Sequence, residues 1–441
     1  MSSVAISGAL RTGTRHAVTT AAALALVVGV LALVQAPGGA MLLAGVLTMS
    51  LSRSRLLSSW RGRAEAAVAL PVLGLATAGV GLLLVALPPV GAALVTAGLA
   101  ASVWLRRLGP LWRRLGALIA LPLIALLVTP GPVAGALGIG GVVLVSLLAL
   151  AAAVLVRLAA DALFGRAADP AEPVVAPTSA LRPMPSTRMA VQLALAVGAA
   201  FVLGYTAFGE HWAWVVLTAY LVCAGNRGRA DVALKAGLRV LGAAGGTVVA
   251  VLVTTHLQLE GPPLVVIVIA LVAIGAAVRE LSYAWWALVV TIVLSLLQSA
   301  LGGPEPALVP RLIGIVVGAV LALAASWFVL PIRSIGVLRR RIADVLRVLA
   351  DRAAGEPADV RSAMARLDEV APAFLAVRWS RRWGEPARWI DALHLSVALL
   401  PDGPAPASVR RSIAGARAAL RDRESLTAPL DRVCEAAAEN L

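Results

Sequence analysis

Twelve stretches of this 441-residue sequence are apolar for about as long as a helix needs to cross a bilayer, and no other feature narrows the fold as much. They run over 17–34, 36–52, 65–87, 89–105, 114–129, 133–158, 189–208, 212–225, 234–255, 263–278, 283–300 and 310–330. A hydrocarbon core about 30 Å thick takes about 20 residues of helix. Helix is the form that satisfies every backbone N–H and C=O within the segment. The windows at 36–52 and 212–225 are short for the task. Pro71 and Pro122 lie inside windows, where neighbouring helices accommodate the backbone groups they free. With 60% hydrophobic and 14% charged residues and a mean hydropathy of +0.90, the chain is too apolar for a soluble globular protein.

The formal charge of +15 would point a soluble chain toward nucleic acid, but its distribution points to the membrane instead. Residues 1–331 hold 20 Lys plus Arg against nine acids, and residues 332–441 hold 18 against 14, so neither part is a polybasic tail. The loops QAPGG, ALPPV and TPGP carry no ionisable side chain, and FGEH, HLQLEGPP and LGGPEPALV add only acids and histidines. The alternate loops take the cations: Arg11 and Arg15, SRSRLLSSWRGR, LRRLGPLWRR, the Arg157–Arg188 stretch, NRGRADVALK and Arg279. Arg311 alone breaks the pattern before the tail. By the positive-inside rule the basic face is cytoplasmic, and so are both termini. Trp60, Trp104, Trp112, Trp285 and Trp286 beside the cytoplasmic loops, with Trp212 and Trp214 opposite, read as interfacial belts. The 17–34 window is longer than the apolar region of a secretory signal and further spans follow, so it reads as a retained first span. Of the 38 basic residues 37 are arginine, which fits a GC-rich bacterial genome and hence a bacterial inner membrane.

The two halves repeat. TRHAV at 14–18 matches TRMAV at 187–191, and SRSR at 52–55 matches NRGR at 226–229, at offsets of 173 and 174 residues. Six spans per half is an even number, which makes the repeats parallel in the membrane. The expected fold is therefore all-α: about 12 transmembrane helices in two parallel six-helix repeats, plus a small helical cytoplasmic domain. The expected boundaries are 1–165 for the first repeat, 166–188 for a Pro-rich linker, 189–331 for the second repeat and 332–441 for the tail. In the tail, Leu338, Ile342, Val345 and Leu349 recur at helical spacing, as do Val360, Met364, Leu367 and Phe374, then Ile390, Leu393, Val397 and Leu400. Breaks at 355–357, 384–386 and 401–406 separate short amphipathic helices. The tail offers a surface for homo-oligomer contacts or regulation, and a solvated helical appendage is the plainer reading.

The run from His211 to Val253, HWAWVVLTAYLVCAGNRGRADVALKAGLRVLGAAGGTVVAVLV, resembles the fusaric-acid-resistance family. That family is related to bacterial aromatic acid exporters and, distantly, to plant aluminium-activated malate transporters. Trp212, Trp214 and Thr218, the turn Asn226-Arg227-Gly228, and Arg239 to Gly242 leading to Gly245-Gly246-Thr247 carry the resemblance. It implies export of anionic organic compounds, aromatic or other carboxylic acids, from the cytoplasm, and places Trp212, Asn226 and Arg227 among the substrate-binding candidates. Arg239 and Lys235 join them on physical grounds. They are four residues apart, on one helical face near the expected start of the ninth span, where a cation facing the bundle interior can hold a carboxylate. Both could instead snorkel to the headgroups. Gly242, Gly245 and Gly246 read as close helix packing.

No acid lies in mid-span. Glu210, His211, Asp231 and Glu280 at span ends are the candidates for proton coupling, and a channel-like anion pathway stays open beside them. Gln192, Thr218, Ser295 and Gln298 inside spans read as interhelical hydrogen-bonding groups. The four histidines and two cysteines match no metal or disulfide spacing, and neither a P-loop nor a nucleophile motif is present, so no cofactor and no enzyme activity is expected. The expected partners are a small organic anion and the lipid bilayer, with no nucleic acid. The competing readings are a polytopic membrane enzyme and an envelope-assembly scaffold.

Overall fold

The computed structural model describes residues 3–54, 56–128, 137–165, 185–257, 261–278, 282–301, 308–381, 384–400 and 403–439. Every regular element among them is a helix. The chain divides into two compact units, Met1–Ala224 with Lys235–Val329, and Gly225–Leu234 with Leu330–Leu441.

The first unit is built from twelve helices, one for each apolar window: α1 (Ser3–Leu33), α2 (Gly38–Arg53), α3 (Trp60–Ala86), α4 (Pro88–Trp104), α5 (Pro110–Val128), α6 (Gly138–Phe164), α7 (Pro185–Ala207), α8 (Trp212–Cys223), α9 (Arg229–Leu257), α10 (Gly261–Val278), α11 (Tyr283–Ala300) and α12 (Leu308–Phe328). Nine of them, α3 to α7 and α9 to α12, are long and apolar enough to cross a membrane. The apolar parts of α1 and α2 are shorter, Ala17–Leu33 and Gly38–Ser52, and α8 has 12 residues. Pro71 and Pro122 lie within α3 and α5, while Pro88 opens α4, where a missing N–H costs nothing. Ser59 and Ser282 cap α3 and α11 by accepting from Gly62 N and Ala284 N. The linker expected at 166–188 lies outside the described residues up to position 184.

Helix neighbours recur at an interval of six. The pairs α1–α2, α1–α6 and α2–α6 reappear as α7–α8, α7–α12 and α8–α12, and α4–α5 reappears as α10–α11. Contacts between the halves follow the same shift, with α1 against α10 and α4 against α7.

The second unit holds α13 (Ser334–Ala353), α14 (Val360–Asp368), α15 (Ala371–Leu375), α16 (Glu385–Leu399), α17 (Ala407–Asp422) and α18 (Thr427–Ala438). Its core contains Leu338, Ile342, Val345 and Leu349 of α13, Val360, Met364 and Leu367 of α14, and Ile390 and Leu393 of α16, with Val397 packed at the margin. Burying each such aliphatic side chain contributes about 1.5–3 kcal/mol. The two last helices complete the core through Val409, Ile413, Leu430 and Val433. Residues 225–234, a turn running into the first turns of α9, join this unit through their backbone N–H groups: Ala230 N donates to Ser334 Oγ at 2.8 Å and Arg229 N to Ile332 O at 3.3 Å. Gly228, at φ +138°, is required there, because a Cβ would meet Ser334.

Candidate functional site

The approach of α9 to α11 is set by two glycines. A Cβ on Gly242 would run into the Ala284 carbonyl, and one on Gly246 into the Leu288 carbonyl, so the two backbones touch. One turn before Gly242, Arg239 reaches across this contact. Its Nη1 donates to Ala287 O at 3.3 Å and to Thr291 Oγ1 at 3.2 Å. The side chain is 0% exposed, and its Nε and Nη2 have no hydrogen-bond partner among the described residues.

A second arginine meets the same helix one turn further along. Arg311, fourth residue of α12 and 2% exposed, donates from Nη1 to Ser295 Oγ at 2.6 Å and from Nη2 to Gln298 Oε1 at 3.4 Å. Its guanidinium carbon lies 4.2 Å from the centre of the Trp214 ring, within cation–π range. Glycines again make the room, since Gly318 of α12 lies against the Val215 carbonyl of α8 and Gly314 against the Val215 side chain. Arg311 Nε has no partner among the described residues.

Both arginines therefore dock on one face of α11, made of Ala287, Thr291, Ser295 and Gln298 at successive turns. The hydroxyls on this face have already spent their hydrogens. Thr291 Oγ1 donates to Ala287 O at 2.8 Å and Ser295 Oγ to Thr291 O at 2.7 Å, so each has only lone pairs left for a guanidinium. The seam is neutral and meets both arginines with acceptor oxygens. Among the described residues no carboxylate pairs with either arginine, and a buried cation without a counter-charge carries a desolvation penalty of several kcal/mol. A small apolar cavity of about 10 Å³, room for about one water, is lined by Leu127, Ala213, Trp214, Leu217 and Gln298.

The other sequence candidates are distributed elsewhere. Because α9 starts at Arg229, Arg239 is not at the helix start but ten residues in, about 15 Å along the axis. Lys235 lies one turn earlier and is half-buried. Asn226, Arg227 and Asp231 belong to the second unit. There Arg227 N donates to Asp231 Oδ2 at 3.0 Å, and the Arg227 guanidinium bonds Glu369 O at 2.9 Å and pairs with Glu369 Oε2 at 3.3 Å. Trp212 sits in an aromatic trio, 5.5 Å from Phe201 and 5.0 Å from Tyr205. Glu210 and His211 form a short 3-10 turn before α8, and Glu280 lies outside the described residues. Trp214, expected in an interfacial belt, is instead 3% exposed beneath Arg311. Arg311 itself was legible only as an exception to the charge rule. A shared spacing marks it: Arg-x-x-Gly-x-x-x-Gly occurs at Arg239, Gly242 and Gly246 and again at Arg311, Gly314 and Gly318.

Residues 194–325 match the family model described as fusaric acid resistance protein-like. That segment is similar to the fusaric acid resistance proteins. It runs from within α7 to near the end of α12 and takes in Trp214, Arg239, Thr291, Ser295, Gln298 and Arg311, the whole of the seam. The chain is thus a multi-pass membrane protein with a fusaric acid resistance-like region in its second half. No curated protein matches the sequence.

Proposed function

We propose that this fusaric acid resistance-like protein is a transporter that exports anionic organic compounds, aromatic or other carboxylic acids, from the cytoplasm across a bacterial inner membrane. In this reading the twelve helices are twelve spans in two parallel repeats with both termini cytoplasmic, and the recurrence of helix pairs at an interval of six supports that arrangement. The observation that carries the proposal is Arg239, a fully buried guanidinium with two unused donors in a membrane bundle. A carboxylate satisfies those donors and the charge together, in the planar two-point geometry that arginine presents. The neutral seam holds the guanidinium in place while leaving it free to exchange partners, which a resident carboxylate would prevent. Close packing around Arg239 means that substrate enters only when α9 and α11 part. Glu210, His211, Asp231 and Glu280 remain the proposed coupling groups if export runs on protons.

The test is uptake of radiolabelled benzoate into inside-out vesicles with and without the protein, repeated across a panel of aromatic and aliphatic acids. Protein-dependent, saturable accumulation of carboxylates is expected. Equal accumulation in both preparations across the whole panel overturns the reading.

A further inference from the structure

The corner between α4 and α5 supports an inference that is independent of the transport reading. We infer that this corner binds the headgroup of an anionic phospholipid, with Arg106, Arg107 and Arg113 holding the phosphate and Trp104 and Trp112 seated at the glycerol level of the bilayer. The inference needs only that α4 and α5 cross the membrane, and both are long and apolar enough to do so.

The sequence leaves the charge at this corner unbalanced. LRRLGPLWRR carries arginines at 106, 107, 113 and 114, and no acid occurs between Glu65 and Asp161. Arg15 and Arg157 share Asp161, whereas Arg106, Arg107 and Arg113 have no carboxylate partner among the described residues. The backbone then gathers these cations. After α4 the chain makes a 3-10 turn over Leu105–Arg107, closed by Leu108 N donating to Leu105 O at 3.0 Å. Gly109, at φ +122°, reverses the chain, and Arg113 N donates to Gly109 O at 3.0 Å as α5 begins. About one turn further into the pair, a Cβ on Gly116 would meet the Ser102 carbonyl, so α4 and α5 touch there. The arginines therefore stand on adjacent helix ends, whose axes are about 8–10 Å apart.

Two features distinguish this corner from a plain topology charge. The first is the setting of Arg107. Its guanidinium carbon lies 4.6 Å from the centre of the Trp104 ring, and its hydrogen bond from Nη1 to Thr187 Oγ1 is long at 3.4 Å. The ring holds the guanidinium in one plane while most of its N–H groups stay available, and that planar fork matches two phosphate oxygens. The second feature is apolar surface at the same corner. Trp104, Leu108, Leu111 and Trp112 are between 36% and 45% exposed. Tryptophan rings favour the headgroup level of a bilayer, and clustered arginines beside a span favour anionic lipid. A soluble anion answers the charge and leaves the rings and leucines in water; a phospholipid answers both.

The experiment titrates the purified full chain in detergent with phosphatidylglycerol, and with phosphatidylcholine for comparison, and counts bound lipid by native mass spectrometry. Wild type should hold phosphatidylglycerol at least about tenfold more tightly, as expected for two or more cations on one headgroup. Arg106→Gln, Arg107→Gln and Arg113→Gln together should weaken it by roughly ten- to a hundredfold, at about fivefold per cation. A control that removes equal charge from exposed positions of the second unit, Arg340→Gln with Arg347→Gln and Arg361→Gln, should bind like wild type. Trp104→Leu, which releases Arg107, should cost about two- to fivefold. If the triple glutamine variant does not insert, the corresponding triple lysine variant takes its place, keeping the loop charge and losing the fork, with a loss of about threefold expected. Inorganic phosphate should displace the lipid no better than chloride at equal ionic strength. The inference is overturned if wild type does not discriminate between the two lipids, if the corner variant and the control bind alike, or if inorganic phosphate competes specifically, which would make a free anion the ligand. Lipid retention is read without any flux, so its outcome is separate from that of the transport test.

Discussion

Arg15 and Arg157, in the first half of the membrane unit, both reach Asp161, at 2.9 and 3.2 Å, whereas Arg239 and Arg311 in the second half are buried against neutral oxygens. The halves share a helix-pairing scheme but use their glycines differently. In the first, a Cβ on Gly74 of α3 would meet Ser146 and Val142 of α6. In the second, Gly242 and Gly246 of α9 press on α11. The buried polar groups of the first half are hydroxyls such as Thr77 and Ser146, which donate to carbonyls of their own helices and cost little in an apolar bundle. A buried guanidinium without a carboxylate partner costs far more. The two halves thus differ in how these cations are satisfied, by Asp161 in the first and by neutral oxygens in the second.

The comparison breaks first if the halves are not parallel. Alkaline phosphatase fused at Gly38 and Gly209, which follow α1 and α7, should be active at both sites, as should fusions at Pro88 and Gly261. Fusions at Arg61 and Arg113 should be inactive. The outcome is all or none, and activity at only one member of a related pair would remove the parallel repeat.

Charge function is the next test. Arg239→Ala should lower carboxylate export by roughly ten- to a hundredfold at equal expression, the worth of a buried charge-assisted contact. Arg227→Ala, which removes a half-exposed pair with Glu369, should change export by less than about threefold. Vesicle flux measured side by side decides it, and equal rates would reduce Arg239 to a topology charge.

The glycines sharpen the contrast between halves. Gly246→Val forces a side chain into the α11 backbone and should destabilise the bundle by about 1–3 kcal/mol while also abolishing export, because Thr291 moves away from Arg239. Gly74→Val should destabilise comparably, since its Cβ meets Ser146, yet leave the anion affinity of the surviving protein near wild type. Thermal unfolding in detergent, paired with benzoate binding, separates the two effects. Equal loss of affinity in both variants would mean the halves are not functionally distinct.

The smallest effect is expected in the second unit. Asp359 caps α14 by accepting from Ser362 N at 3.0 Å, and hydrogen bonding to Ser362 holds its carboxyl below the ordinary value. A carboxyl depressed in the folded state contributes stability above its unfolded pKa and loses it as the pH falls through the folded value. The unfolding midpoint of the second unit should therefore drop on acidification slightly more in wild type than in Asp359→Asn, and identical pH profiles would show that the cap contributes nothing.

Much of the fold was legible because bilayer physics writes it in one dimension. Apolar length set the twelve helices, and loop charge set the expected orientation, with no need to know which helix touches which. Periodicity in the tail likewise placed Leu338, Ile342, Val345 and Leu349 in one core. Of the candidate site, the sequence marked Arg239, because two cations four residues apart near a span end, Lys235 and Arg239, are visible in a string of letters. It could not show that Ser295 and Gln298, which look like ordinary interhelical bonding groups, serve a second arginine. Nor could it show that Trp214 is the ring beneath that arginine rather than an interfacial anchor. Those facts depend on how α8, α9 and α12 converge on α11, which is fixed by contacts of glycine with backbone between residues tens of positions apart. Local propensity and hydropathy decide that a segment is a helix. Only the tertiary structure decides which face of it meets a charge, because that depends on the shape of its neighbours.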